Sequence, residues 1–227
     1  DAGPTYRVRA CRNAAAVGRG LDSDALERHV RAGTLSTLPG IGPVTAGVIA
    51  EAHAGREPEY LSRLEAVESR TVPEAARTLR AALRGDCHTH ADWSDGGSPI
   101  AEMAQAARAL GHEYIVLTDH SPRLTIAHGL TEERLRRQLE VVATLNAELA
   151  PFRILTGIEV DILEDGGLDQ SPELLATLDL VVASVHSKLR MPAPELTRRM
   201  PKAIANPHTH GRGHCTGRIA VGRERPD

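Results

Sequence analysis

The amino-acid sequence predicts an α/β unit at residues 83–227 behind a small all-α unit at residues 1–82. Three observations carry this expectation. Up to about Leu83 apolar residues recur at helical spacing, and no run of strand character interrupts them. After Arg84 short apolar runs of strand length alternate with amphipathic helical stretches. Apolar strands separated by helices pair in parallel, which is the α/β arrangement. Finally, every such run ends in side chains able to bind a metal: DCHTH, LTDH, GIEVD, SVHS and GHCTGR.

The elements follow in order. YRVRACRNAAAVG makes a first helix, and DSDALERHVRAG a second, with Asp24 and Glu27 spaced as a capping box. LPGIGPVTAGVIAEAHAG combines a glycine turn with a third helix, and YLSRLEAV and VPEAARTLRAAL give two short amphipathic ones. Strands are expected at 84–88, 114–120, 153–162 and 178–187, with a weaker one ending at His214. Helices fill 98–110, 131–149, 171–177 and 193–205.

Composition excludes several function classes. The net charge of −3 advertises no nucleic-acid partner for the whole molecule, although the first 85 residues lean basic and the remainder acidic. Five aromatics (Tyr6, Tyr60, Trp93, Tyr114, Phe152) are too scattered for a base-stacking platform. No apolar run approaches the roughly 20 residues that span a bilayer, so no membrane partner is expected. Cys11, Cys87 and Cys215 are odd in number, far apart and without a CxxC, which argues against both a disulfide framework and a thiolate zinc site. A cytoplasmic setting is the corresponding expectation. The opening DAGPTYRVRA has neither a leader pattern nor an initiating Met, so the chain is expected to be a piece of something longer.

In an α/β fold catalytic groups gather where strands end and βα loops begin. Strand alternation puts Asp86, His88 and His90 on one face and Cys87 and Thr89 on the other; Glu159 and Asp161 likewise share a face that Val160 does not. One histidine at a strand end, His120 or His186 alone, is ordinarily just a hydrogen-bonded residue. Five such coincidences point instead to a hydrolytic cluster, and a mixture of imidazole and carboxylate without thiolate suits zinc, manganese or iron. Asp95 is open to two readings, a ligand or a turn residue of SDGG. Asp86 and Asp161 are expected to orient the histidines from behind. His29, His53, His112 and His128 have no partner pattern and are assigned to surface or packing. The second HxH, His208 and His210, precedes His214 by four to six residues, roughly 13–20 Å along an extended strand, and belongs at the opposite end of the sheet.

These motifs resemble the PHP (polymerase and histidinol phosphatase) domain family, whose pattern is HxH…SDG, TDH, GxE, SxH and GHxTGR. Here it stands as His88-Thr89-His90, Ser94-Asp95-Gly96, Thr118-Asp119-His120, Gly157-Ile158-Glu159, Ser184-Val185-His186 and Gly213-His214-Cys215-Thr216-Gly217-Arg218, in the family order. The resemblance implies a distorted seven-stranded TIM-like β/α barrel holding two or three divalent ions. By that analogy Glu159 bridges two ions, one also held by His88 and His90 and the other by His186 and His214, while Asp95 and His120 hold the third. The family closes with an Asp-x-His motif on a later strand, and Asp227 comes before any such motif, so about two βα units are expected to be missing. The family also has apolar residues where Gly211 and Arg212 precede Gly213.

Residues 1–82 resemble the small helical domain of family-X DNA polymerases, with its helix-hairpin-helix. No strand pair bearing catalytic aspartates lies between the hairpin and Asp86, which excludes a polymerase and leaves the layout of a stand-alone bacterial helix-hairpin-helix plus PHP protein. In LPGIGPVT, Gly40, Ile41 and Gly42 can offer backbone amides to a DNA phosphate, or form a packing turn with both glycines at positive φ. Pro43 stands where a Lys commonly follows, and no Lys precedes Lys188. The expected activity is phosphoester hydrolysis by metal-activated water, with Arg218 and Lys188 neutralising developing charge. A DNA end or repair intermediate is the first substrate expectation and a small phosphomonoester the second. A non-catalytic DNA-associated module is the rival class, and an amidohydrolase-like enzyme ranks behind it because no Lys ends a mid-barrel strand.

Overall fold

The chain divides into two compact units between Ala82 and Leu83, and the computed structural model describes residues 3–71 and 73–214. In the first unit every described element is helical: α1 (Gly3–Gly20), α2 (Ser23–Ala32), a 3-10 turn (Leu35–Thr37), α3 (Pro43–His53), α4 (Glu59–Thr71) and α5 (Glu74–Ala82). The cap of α2 corrects the sequence expectation. Asp22, not Asp24, is the N-cap, its carboxylate accepting the Ala25 N–H at 2.6 Å. The ladder therefore opens with Leu26 N–H donating to Asp22 O at 3.0 Å. Asp24 falls inside the first turn, where a negative charge faces the positive end of the helix dipole.

Between the 3-10 turn and α3 the backbone reverses through Gly40 at φ 90°, a region that a side chain resists. Gly42, in contrast, sits at φ −90° and ψ 172° as the N-cap of α3, so only the first glycine of the pair is at positive φ. Ile41 between them is buried with Ala14 and Leu35, and Val17, Leu26 and Val30 pack around this small core.

The second unit is a parallel sheet with its strands in chain order. β1 (Gly85–Thr89), β2 (Tyr114–Leu117), β3 (Arg153–Asp161), β4 (Leu180–Ser184) and β5 (Gly211–Arg212) alternate with α6 (Ile100–Ala109), α7 (Glu132–Leu149), α8 (Pro172–Leu175) and α9 (Ala193–Ile204). All four pairings are parallel, and the sheet curls as one wall of a barrel does. The described residues supply five strands, not the closed seven of the resemblance. β2 is shorter than expected, although one further parallel bridge joins His120 to Glu159 beyond its end.

Alternation along β3 explains the core and prepares the site. Ile158, Val160 and Ile162 pack with Leu135 of α7, Leu174 and Leu175 of α8, and Val181 and Ala183 of β4. A second cluster joins Ala104 and Ala107 of α6 to Ile115, Leu117, Val142 and Ile154. Glu159 and Asp161, on the other face of β3, are also fully withdrawn from solvent. Among the described residues no helix is long and apolar enough to cross a membrane.

Two glycines of the helical unit give opposite expectations. Gly40→Ala forces a side chain into the left-handed region and should cost about 1–2 kcal/mol. Gly47→Ala, inside α3 with open space where a Cβ would stand, should gain about 0.5–1 kcal/mol. Urea titration of the two variants checks both signs.

Candidate metal centre

At the carboxyl ends of the strands one buried carboxylate meets five imidazoles. Oε2 of Glu159 lies 3.2 Å from His88 Nε2, 3.4 Å from His90 Nε2 and 3.2 Å from His120 Nδ1. Oε1 lies 3.4 Å from His186 Nε2 and 3.3 Å from His214 Nε2, and accepts the Ser184 hydroxyl at 2.5 Å. Asp95 completes the set from the loop after β1, its Oδ1 3.7 Å from His90 Nδ1 and 3.5 Å from His120 Nε2. All seven histidine and acid positions expected as ligands from the sequence thus come together.

Their distances overlap the groups of the analogy and add shared members. Donor atoms within 4.8 Å of one another form three sets: His88, His90 and Glu159; His90, Asp95 and His120; His120, Glu159 and His186. His90 and His120 are each shared between two sets, because the two nitrogens of each ring face different carboxylates. His214 approaches Glu159 from the exposed side, its side chain 63% accessible. The glycine before it is required by space, since a Cβ at Gly213 would stand 2.2 Å from Ser184 Oγ and 3.0 Å from Glu159 Oε1.

The donor chemistry fits divalent cations. Buried polar atoms are normally hydrogen-bonded, yet Glu159 Oε2, His90 Nδ1, His120 Nδ1 and both ring nitrogens of His186 have no hydrogen-bond partner. Burial would raise the Glu159 carboxyl, but nearby His186, His88 and Ser184 more than offset it and hold the group well below the usual carboxylate range. Burial lowers His90 and His120, favouring the neutral rings that bind metal. The adjacent Glu159 carboxylate outweighs burial at His88 and raises it. At His186 burial works downward, but Asp161 and Glu159 together lift the imidazole to about 9.

Supporting residues fix this geometry. Asp161, on the same face as Glu159, accepts the His186 N–H at 2.9 Å and the Ser187 hydroxyl at 3.2 Å, and stands 3.5 Å from His186 Nδ1. Asp86 does less than expected: it is exposed and accepts the backbone N–H of His88 at 3.0 Å, with no hydrogen bond to an imidazole. The ladder is irregular between Asp86 and Thr89, so simple alternation does not carry through to the carboxylate. Asp119 was not foreseen. Its Oδ1 accepts the Ala91 N–H at 2.8 Å and the Ser94 hydroxyl at 2.5 Å, and its Oδ2 accepts Gln138 at 2.6 Å, which pins the loop carrying Asp95. Burial raises its carboxyl, and these three donors offset only part of that rise.

The remaining predicted residues lie elsewhere. Lys188 turns its ammonium toward Glu164, 3.9 Å away on the surface. Arg218 lies outside the described residues. His210 accepts the Val181 N–H through Nδ1 at 3.1 Å, at the start of β4 and away from the cluster, as the strand count predicts. In the helical unit the Ile41 N–H donates to Leu38 O at 3.1 Å and the Gly42 N–H to Thr45 Oγ1 at 2.9 Å, so two of the three hairpin amides expected to meet phosphate are already engaged.

A family model for the PHP domain matches residues 86–212. The chain is similar to the DNA polymerase/3'-5' exonuclease PolX of Bacillus subtilis, with 45% identity over 141 residues, 62% of this chain and 25% of that protein. It is also similar to a probable phosphatase of Acetivibrio thermocellus, 35% identical over 133 residues, 57% of this chain and 53% of the relative. A probable phosphatase of Thermoanaerobacter sp. is 33% identical over 134 residues, 57% and 52% of the two chains. The chain thus spans a quarter of the first relative and about half of the other two.

The raised His186 sets a pH dependence with a definite sign. Protonation of this ring in the metal-free fold contributes stability that is fully present below its ordinary 6.5 and lost as pH rises through about 9. With chelator present, the unfolding temperature should therefore fall across that window. With saturating Mn2+ the trend should reverse, because metal binding requires the ligands deprotonated. Thermal scans in the two conditions separate the cases.

Proposed function

Because the chain belongs to the PHP domain family, the match covering more than half of its length, we propose that the unit after Ala82 carries the catalytic centre of a metal-dependent phosphoesterase. The observation that carries this reading is the fully buried Glu159 carboxylate, with an unpartnered oxygen facing His88, His90 and His120. Two or three ions would be held: His88, His90 and Glu159 could supply one set of donors, Asp95 with His90 and His120 a second, and Glu159 with His120 and His186 a third, with His214 near the same Glu159 oxygen as His186. Nitrogen and oxygen donors without thiolate favour zinc, manganese or iron. Such ions, when bound, polarise phosphoryl oxygens and bring the pKa of a water near neutrality.

The chain's own residues do the rest. Glu159 is a fixed anion that keeps the imidazoles converged, and Asp119 and Asp161 hold the β1 loop and His186 in place. Lys188 and Arg218 are assigned to charge neutralisation at the phosphoryl group; the Lys188 pair with Glu164 is exposed and weak enough to exchange for a substrate oxygen.

The substrate reading with most support is a nucleic-acid phosphodiester at a DNA end, since the relative at 45% identity is named a 3'-5' exonuclease. The helical unit fits a helix-hairpin-helix, α2 and α3 joined through Gly40. A phosphate there would replace the Thr45 hydroxyl on the Gly42 N–H, giving weak, sequence-independent and salt-sensitive contact. A second reading, a small-molecule phosphomonoesterase, is favoured by relatives named probable phosphatases.

The test loads the chain with Mn2+ and compares release of nucleotides from end-labelled DNA with hydrolysis of a phosphomonoester panel. Wild type should act on one of the two, and His88→Ala should lower its kcat/KM by about 100-fold or more, beyond the range seen for residues that only support a ligand. Hydrolysis that survives this substitution contradicts the assignment of the centre.

A further inference from the structure

Among the described residues of the second unit, one cation outside the ligand cluster is buried, and the reaction does not use it. Arg199 on α9 is 1% exposed, the largest fully buried side chain of the described residues. Its Nε donates to Leu163 O at 2.9 Å and Nη1 to Ser187 O at 2.9 Å; Nη2 donates to Ile162 O and lies 3.4 Å from Ser187 Oγ. None of these partners is a carboxylate. A buried guanidinium without a counter-ion is costly, and an apolar side chain of similar length would fill the space beside Ala203 and Met200 more cheaply. The cation must therefore gain something from where its partners lie. Ile162 and Leu163 follow the end of β3, and Ser187 follows β4, so one planar fork fixes the separation of two adjacent loops at the catalytic end of the sheet.

The loops so fastened contain the residues that orient one ligand. Ser187 donates its hydroxyl to Asp161 Oδ2 at 3.2 Å. Asp161 Oδ1 accepts the His186 N–H at 2.9 Å and faces His186 Nδ1 at 3.5 Å. With the backbone N–H of His186 fixed there and the carboxylate charge 3.5 Å from Nδ1, the ring lies with Nε2 3.4 Å from Glu159 Oε1. We propose that Arg199 is a positioning residue for the metal donor His186, acting through Ser187 and Asp161, and that it governs one class of cation site while leaving the His88 and Asp95 side of the centre unaffected. This rests on the reading of the cluster as a metal centre. A Lys at 199 keeps the charge but cannot fork between Leu163 and Ser187, so it restores the function only in part.

The experiment titrates the chelator-stripped full chain with Co2+ alone, following the visible absorption that reports its coordination, alongside thermal unfolding of the metal-free protein. Wild type should bind at two or more classes of site. Ser187→Ala, which leaves the carbonyl contacts of Arg199 intact, should weaken one class by about 10–100-fold and spare the rest. Arg199→Lys should weaken the same class, and Arg199→Met should weaken it further. Asp161→Asn should produce the same selective loss, and Ser187→Ala should add little in that background, as residues acting in series do. Unchanged affinities in Ser187→Ala and Arg199→Lys overturn the proposal. So does uniform weakening of every class together with a lower melting temperature, the mark of a general packing role. A wild type that binds no Co2+ overturns the metal-centre reading along with it, whereas wild-type binding with insensitive variants overturns this inference alone.

Discussion

An anion with no access to water has to be answered by positive charge or by directed donors, and Glu159 is such an anion. The arrangement around it follows from that requirement. Five imidazoles converge from β1 and the residue after it, from the segment after β2, from the loop after β4 and from His214, two residues beyond β5, each at 3.2–3.4 Å from one of its oxygens. The Ser184 hydroxyl also donates to it directly. Such a constellation is unfavourable as mere packing, because one carboxylate cannot satisfy ten ring nitrogens, and several of them remain without partners. Cations shared at this site would resolve both halves of the problem.

The fold makes this convergence possible through two ordinary features. Parallel strands in chain order bring every carboxyl end to the same edge of the sheet, so residues distant in sequence arrive at one place. Alternation along β3 and into the residue after it then sends Ile158, Val160 and Ile162 to the helices and Glu159 and Asp161 to the opposite face. The loops are held by groups that never touch the centre. Asp119 and Gln138 fasten the β1 loop, while Arg134 reaches from α7 to the carbonyls of Trp93, His128 and Gly129. Arg199 does the corresponding work between the loops after β3 and β4.

What could be foreseen from the sequence was what spacing encodes. Strand positions, their parallel pairing and the metal-capable side chains at their ends follow from short apolar runs, helical gaps and two-residue alternation, whereas Asp95 stays open between a ligand and a turn residue without the family resemblance. The supporting groups were invisible because hydrogen-bond partners obey no spacing. Gln138 and Arg199 look like polar positions on helices, and only the packing of α7 and α9 shows that they point inward. Asp119 could have been suspected, since it adjoins His120, but its three donors come from Ala91, Ser94 and Gln138. Asp86 failed in the other direction: alternation placed it with the histidines, and the irregular ladder left it on a backbone amide. The two glycines of the hairpin looked equivalent in sequence, whereas Gly40 makes the turn and Gly42 caps a helix.

Glu159 as the shared anchor of the cations is tested most directly by anomalous diffraction at the metal edge from crystals grown with Mn2+ or Zn2+. Anomalous peaks about 2.0–2.3 Å from both Glu159 oxygens, with imidazoles of His88, His90 or His186 completing each coordination shell, are the result expected from this geometry. Peaks confined to surface acids such as Glu164 and Asp165, with Glu159 bound to protein groups alone, would contradict it.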